Sequence, residues 1–287
     1  MIDFDRVDGA VPPVIVVPPR GAPSALVFDS PHSGSHYSDD FVTLLAHDEM
    51  RRAEDAFVDE LFSAAPDHGA TLLAATFPRL YVDPNRAPDD FEPSEAAGAF
   101  AQPLNPTTKA KTGKGIVWTR LHGLSALYDK PLAADAVTAR IDAYWRPYHA
   151  AVADALDATF QRFGRVFHVN CHSMRSRGNA TDEDGEADRP AFVISDRDGT
   201  TAAPAFTRFV ADHLAGQGYS APINVPFKGA ELVKRYSDPA AGRHSIQIEI
   251  NRKLYMDEAA YARSGDFAAF QGVMTGLIAA VAGYVGD

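Results

Sequence analysis

The stretch Arg165-Val166-Phe167-His168-Val169-Asn170-Cys171-His172 decides how this chain is read. Residues 165–170 alternate, with Val166 and His168 set against Phe167 and Val169. A period of two is the mark of a β-strand, because successive side chains point to opposite faces. His172 then stands just past the end of that strand. Working outward, residues 26–29 form a short apolar run stopped by Ser30-Pro31 and Gly34. This predicts a buried strand that runs into a loop carrying His32. Residues 71–77 and 80–82 read as strands around Pro78-Arg79. Residues 191–194 and 221–225 read as two more, and residues 244–250 as a strand of strict alternation. Helical spacing fills the gaps at residues 55–65, 133–160, 203–214 and 267–285, with Pro147 expected to kink or split the second of these.

Strands that alternate with helices predict an α/β fold, with a mostly parallel or mixed central sheet covered by helices on both faces. The expected organisation is one domain over residues 1–287. Irregular insertions fall near 87–115, rich in Pro, Gly, Ala and charge, and near 176–190, which is polar and acidic. In open α/β sheets, ligands bind beyond the carboxyl ends of the strands. That rule selects His32, Arg79, His172 and Glu249.

The bulk chemistry narrows the partners. The chain has 287 residues, 46% of them apolar, and a formal net charge of −11 with no dense Lys/Arg run. Nucleic acid and anionic membranes are therefore disfavoured. No Gly-rich phosphate loop follows a strand, which disfavours a nucleotide. Cys171 is the single cysteine, so no intramolecular disulfide forms and a reducing compartment, the cytoplasm, is expected. Residues 1–20 lack the basic and apolar regions of a signal peptide. No apolar run is expected to reach the ~18 residues of a membrane helix. Nothing in the sequence sets an oligomeric state.

Three elements offer metal-type ligands: His32 after the first strand, Asp55 at the start of the first helix, and His172. Two histidines and a carboxylate form a catalytic zinc set, which leaves a position open for water. Glu54 and Asp59 are rival carboxylates. Glu249 sits in the apolar alternation of Gln247-Ile248-Glu249-Ile250-Asn251-Arg252. A carboxylate there is costly unless paired or used. It reads either as a buried ion pair with Arg252 or Arg243, or as a general base for an attacking water. In Arg79-Leu80-Tyr81-Val82-Asp83-Pro84-Asn85-Arg86, the planar guanidinium forks suit a carboxylate and a developing oxyanion. Arg175, Arg177 and Lys228 are further cations for an acidic ligand, and His122 and Tyr128 are candidate pocket lining.

At these residues the chain resembles the N-formylglutamate amidohydrolase family. The matching segments are Ser-Pro-His-Ser-Gly at 30–34, Glu-Asp-Ala-Phe-Val-Asp-Glu-Leu at 54–61, and the 79–86 motif. Trp-Arg-Pro-Tyr-His at 145–149, Asn-Cys-His-Ser-Met at 170–174, Asn-Val-Pro-Phe-Lys-Gly at 224–229 and the 247–258 segment follow in family order. The family is similar in fold to zinc carboxypeptidases and aspartoacylases. The resemblance implies one zinc ion held by His32, Asp55 and His172, although other transition metals suit the same donors. It implies Glu249 as the general base and Arg79 as the residue that polarises the scissile carbonyl. It also implies that Asn85 and Arg86 grip the substrate carboxylate. The implied reaction turns N-formyl-L-glutamate and water into L-glutamate and formate, a step of histidine breakdown. Related enzymes take two ligands from one His-x-x-Glu motif, whereas here Ser35 stands three residues after His32. Rival readings are another N-acyl amino acid as substrate, a carboxypeptidase-like peptidase, or a non-catalytic protein that binds a metal or an acidic metabolite.

Overall fold

The computed structural model describes residues 11–286. The reading of the extreme N-terminus as free of a leader rests partly on residues 1–10, which lie outside that range. Six strands form the central sheet: β1 (Val14–Val17), β2 (Leu26–Ser30), β3 (Thr71–Ala75), β4 (Val166–Met174), β5 (Phe192–Ser195) and β6 (Arg243–Asn251). Their spatial order is β1-β3-β2-β4-β6-β5. The four inner strands run parallel, and β1 and β5 are antiparallel edges. The helices are α1 (His47–Arg51), α2 (Val58–Leu61), α3 (Thr108–Lys111), α4 (Ala134–Arg140), α5 (Arg146–Phe163), α6 (Pro204–Gly216), α7 (Glu231–Arg235) and α8 (Phe267–Gly286). The predicted fold class is the one observed.

Alternation decides what each face carries. Leu26 and Phe28 of β2, Phe167, Val169 and Cys171 of β4, and Ile246, Ile248 and Ile250 of β6 form one apolar layer with α2, α6 and α8. Each such side chain contributes about 1.5–3 kcal/mol when buried. The intervening residues turn to the other face, where α4 and α5 cover Val27, Leu73 and Val166. On that second face the register sets Ser245 beside His168, Gln247 beside Asn170, and Glu249 beside His172. Asp29 of β2 lies beside Asn170. The two central strands therefore carry a polar ladder that climbs towards their carboxyl ends.

The ladder is held from above by α5. Tyr148 donates from its hydroxyl to Asp29 Oδ2 at 2.6 Å, and His168 Nε2 and Asn170 Nδ2 donate to Asp29 Oδ1, both at 2.8 Å. Burial alone would raise the Asp29 carboxyl; the contacts with His168, Tyr148 and Asn170 outweigh it and hold it below its usual value. A carboxylate buried this deeply is tolerable because every oxygen is used.

Several elements differ from expectation. Residues 80–82 are buried but form a turn, with Tyr81 N donating to Pro78 O, so a short apolar run here marks burial and not a strand. Residues 221–225 contribute only an isolated bridge, Ile194 to Ile223. The helix expected at residues 55–65 shrinks to α2, Val58–Leu61, because Phe57 adopts a left-handed conformation (φ 67°), leaving Asp55 in the preceding turn. Before Pro147 the chain makes a π-helical turn at Ile141–Trp145, which absorbs the missing backbone donor. The strand carrying His172 extends to Met174, so His172 lies inside it. Contrary to expectation, Phe267–Gly286 has the length and hydropathy of a membrane-crossing helix. Its large residues Phe270, Met274, Leu277, Ile278 and Val281 are nonetheless buried in the core, and its outer face shows Ala and Gly.

Tyr148→Phe tests the ladder. Removing the hydroxyl leaves Asp29 Oδ2 without its donor, and urea unfolding is expected to show a loss of about 1–3 kcal/mol; an unchanged midpoint would dispose of this account.

Candidate active site

At the carboxyl end of the sheet a cavity of ≈ 580 Å³ opens, lined among others by His32, Asp55, Arg79, His172 and Glu249. The loop after β2 carries His32 and passes tightly over the end of β3. Gly34 is required there, since a Cβ would lie 2.4 Å from Phe77 O. His32 O accepts from Asp55 N at 2.9 Å, which ties the two segments together.

Two imidazoles converge on one oxygen. His32 Nδ1 lies 3.3 Å and His172 Nδ1 3.0 Å from Asp55 Oδ2. The far nitrogens show where the hydrogens are. His32 Nε2 lies 2.7 Å from Asp83 Oδ1, a carboxylate that can only accept. His172 Nε2 lies 2.6 Å from Asn170 Oδ1, whose amide nitrogen is committed to Asp29. Asn85 Nδ2 is 3.1 Å from the same ring nitrogen, but two acceptors do not sit 2.6 Å apart, so Nε2 keeps its hydrogen. With its one hydrogen on Nε2, a neutral ring turns the Nδ1 lone pair towards Asp55 Oδ2, the arrangement a shared cation requires. Donors from the three residues lie within 4.8 Å of one another and are all buried. Ligand bonds of ~2.0–2.1 Å at a tetrahedral angle span roughly 3.3 Å between donors, close to the observed N···O separations. The set fits a divalent cation, and Asp83 and Asn170 stand where carboxylates and amides orient ligating imidazoles.

Charge around the cluster is balanced. Asp55 Oδ1 faces Arg252 Nη2 at 3.2 Å and Arg79 Nη1 at 3.6 Å. Burial would raise the Asp55 carboxyl, but His172, His32 and Arg79 outweigh it and keep it well below the usual range. Asp83 behaves alike, held down against burial by Arg79 and His32. Arg79 Nη2 meets Asp83 Oδ2 at 3.0 Å, and its guanidinium lies 4.9 Å from the Trp118 ring, which donates from Nε1 to the same oxygen. Arg79 is thereby pinned at the cavity wall.

Glu249 has no ion-pair partner among the described residues. Arg252 is spent on Asp55, and Arg243 pairs with Asp157 at 2.7 Å. Glu249 Oε1 accepts only from Gln247 Nε2 at 2.8 Å. Burial pushes its carboxyl up, and Asp55 adds to the rise. The rival carboxylates are elsewhere engaged. Glu54 accepts from Tyr37 at 2.8 Å and pairs with Arg51, and Asp59 does not line the cavity.

The other sequence candidates divide. Asn85, Arg86, Arg175, Lys228 and His122 line the cavity. Asn85 is committed to the scaffold, with Oδ1 accepting from Leu232 N at 3.0 Å at the start of α7. Arg86 makes no ion pair among the described residues and donates from Nε to Lys114 O at 3.2 Å. Lys228 pairs with Asp198 at 2.8 Å, and both are about 61% exposed at the rim. Burial and then Arg175 push the His122 imidazole down to about 3, so it is neutral. Arg177 and Tyr128 do not line the cavity. Arg177 bridges by its backbone to Asp188, and Tyr128 accepts from Arg140 at 3.0 Å beside a separate small cavity. The sequence alone does not single out Asp83, Lys114, Trp118, Asn170 or Gln247, and it pairs Arg252 with Glu249 where the fold pairs it with Asp55. Gln247 and Asn170 had a signal, because each shares the alternation phase of Glu249 or His172.

The comparisons with known proteins agree with this architecture. The N-formylglutamate amidohydrolase family profile matches residues 24–256. An N-formylglutamate deformylase of Pseudomonas putida is 30% identical over 242 residues, covering 81% of this chain and 82% of its own. One from Pseudomonas aeruginosa is 29% identical over 248 residues, with 85% and 86% covered. A crystal structure of N-formylglutamate amidohydrolase from Ralstonia eutropha JMP134 superposes with a TM-score of 0.91 at 42% identity, over 95% of this chain and 98% of that one. Fold and relatives define a hydrolase of the amide C–N bond. The chain belongs to the N-formylglutamate amidohydrolase family.

Asn170→Ala tests the orienting contact. Loss of the acceptor behind His172 is expected to weaken divalent-ion affinity by roughly 10–100-fold, read by competition with a chromogenic chelator; undiminished affinity would show that the contact does not orient the ring.

Proposed function

We propose that this chain hydrolyses N-formyl-L-glutamate to L-glutamate and formate, using one divalent ion, zinc first, held by His32, Asp55 and His172. The observation that carries the reading is the convergence of two imidazole Nδ1 atoms on Asp55 Oδ2 beside a carboxylate, Glu249, that makes no ion pair among the described residues. A divalent ion held there acidifies water and polarises an amide carbonyl.

The remaining chemistry belongs to the side chains. Glu249, one strand over from His172, takes the proton of the attacking water. Its raised pKa suits a base that must later return that proton to the leaving amine nitrogen. Arg79, pinned by Asp83 and Trp118, points a fixed positive charge at the oxyanion as it forms. Because its neighbours already fix it, little reorganisation is needed at the moment of reaction. Arg86 binds the α-carboxylate by its unpaired guanidinium, and Asn85 supports the adjoining loop through α7. Arg175 and Lys228 supply positive potential further out. His122 offers a neutral hydrogen-bonding wall. The domain is read as one unit over the whole chain, acting in the cytoplasm as a step of histidine breakdown.

Two measurements test this. Elemental analysis is expected to find one zinc per chain, and formate release from N-formyl-L-glutamate is expected to be chelator-sensitive and faster than release from N-acetyl or N-formimidoyl analogues. Glu249→Gln is expected to lower kcat by ~10²–10⁴-fold with the metal retained; activity within about tenfold of the parent would remove Glu249 from the base role.

A further inference from the structure

The polar segment at residues 176–190 returns to the cavity with Asp182, Glu183 and Arg189. Asp182 Oδ2 accepts from Arg175 Nη2 and, at 2.9 Å, from Arg189 Nη2, and Oδ1 lies 3.5 Å from Lys114 Nζ. These four residues all line the same cavity as His172 and Glu249. Arg189 has a second anchor, since Asp184 takes its Nε at 2.7 Å and its Nη2 at 2.9 Å. Arg175 and Lys114 have no other carboxylate among the described residues. Three cations thus share two carboxylates, and only Arg189 keeps an anion if Asp182 moves away. The Lys114 side chain is 7% exposed, and burial pushes its ammonium below the usual value. A cation so enclosed needs an anion beside it.

We propose that Arg175 and Lys114 form the receptor for a second carboxylate on the substrate, and that Asp182 occupies this receptor until the substrate arrives. The inference rests on the reading of the chain as a hydrolase of N-formyl dicarboxylic amino acids. Exchanging one carboxylate for another conserves charge, so the substrate displaces Asp182 at small cost. A neutral amide in that position leaves the enclosed Lys114 and the half-buried Arg175 without an anion, and the site rejects it for that reason. The reach is adequate. Arg175 stands three residues beyond His172, roughly 10 Å along an extended chain, and a long arginine side chain recovers much of that distance. Arg86, which takes the first carboxylate, is tied to the same stretch through Lys114 O. Asp182 also anchors its own loop by accepting from Asn179 N at 3.1 Å, so its release loosens residues 179–182 as the substrate enters.

The test is formate release by the metal-loaded enzyme from N-formyl-L-glutamate and N-formyl-L-glutamine. The parent is expected to prefer the first. Arg175→Gln is expected to raise KM for the dicarboxylate by about 10- to 100-fold, the factor carried by a charged hydrogen bond, while KM for the amide changes little. Asp182→Asn is expected to lower KM for the dicarboxylate severalfold, because nothing need be displaced. A purely structural role would instead raise KM for both substrates in both variants, and that result overturns the proposal. An unaltered Glu-to-Gln preference in Arg175→Gln overturns it as well. Should that variant fail to fold, Lys114→Gln carries the same prediction. A parent enzyme that cleaves both substrates equally overturns this inference alone; one that releases no formate from either overturns the functional reading too.

Discussion

The site depends on a carboxylate oxygen shared by two imidazole nitrogens. Asp55 Oδ2 faces the Nδ1 atoms of His32 and His172, which come from a loop and a strand 140 positions apart in the chain (172 − 32). Three ligand-type donors this close suit a shared cation, and the surroundings hold them in place. Arg252 and Arg79 neutralise the other oxygen of Asp55, while Asp83 and Asn170 hold the outer ring nitrogens. Removing one member exposes the rest, because each buried charge is paid for by another. Behind this shell lies Asp29, whose bonds to His168, Asn170 and Tyr148 fix the backbone face on which His172 stands.

Much of this was legible in the sequence, for a simple reason. Strand alternation is a local property, so residues 165–170 and 244–250 revealed both their structure and their two faces. The rule that ligands gather beyond strand ends then picked out His32, His172, Glu249 and Arg79 without any contact information. What failed was non-local. Residues 80–82 are as apolar as a strand, yet they are buried as a turn because backbone partners come from residues 116–118, beyond a long irregular stretch. Asp55 was placed in a helix because nothing in its neighbours announces the left-handed Phe57. Asp83 carries no signal of its own within residues 79–86, since its role exists only once His32, 51 residues earlier, is folded against it.

The cations show the same limit. Composition and spacing cannot tell a guanidinium that awaits a ligand from one already matched within the fold. Arg252 looked like a partner for Glu249 and is spent on Asp55. Lys114 carried no signal at all inside residues 87–115, yet it is among the most enclosed cations of the cavity. Arg177, a candidate by its charge, and Tyr128, a candidate by its place beside the irregular stretch, fall outside it. The insertions thus supply much of the wall that a ligand meets, whereas the sheet supplies the groups beneath it.

The pairing of β4 with β6 has one more consequence. Glu249 and His172 are cross-strand neighbours, so their separation is set by the repeat of a hydrogen-bonded ladder, ~4.8 Å, and cannot be adjusted gradually. Adding or removing one residue in β6 would turn Glu249 into the apolar layer beneath α8 and bring an isoleucine up in its place. Divergence within this scaffold is therefore quantised at its centre and continuous at its margin: new acyl or amino-acid preferences are open to change through the loops, while the spacing of acid and imidazole is inherited whole.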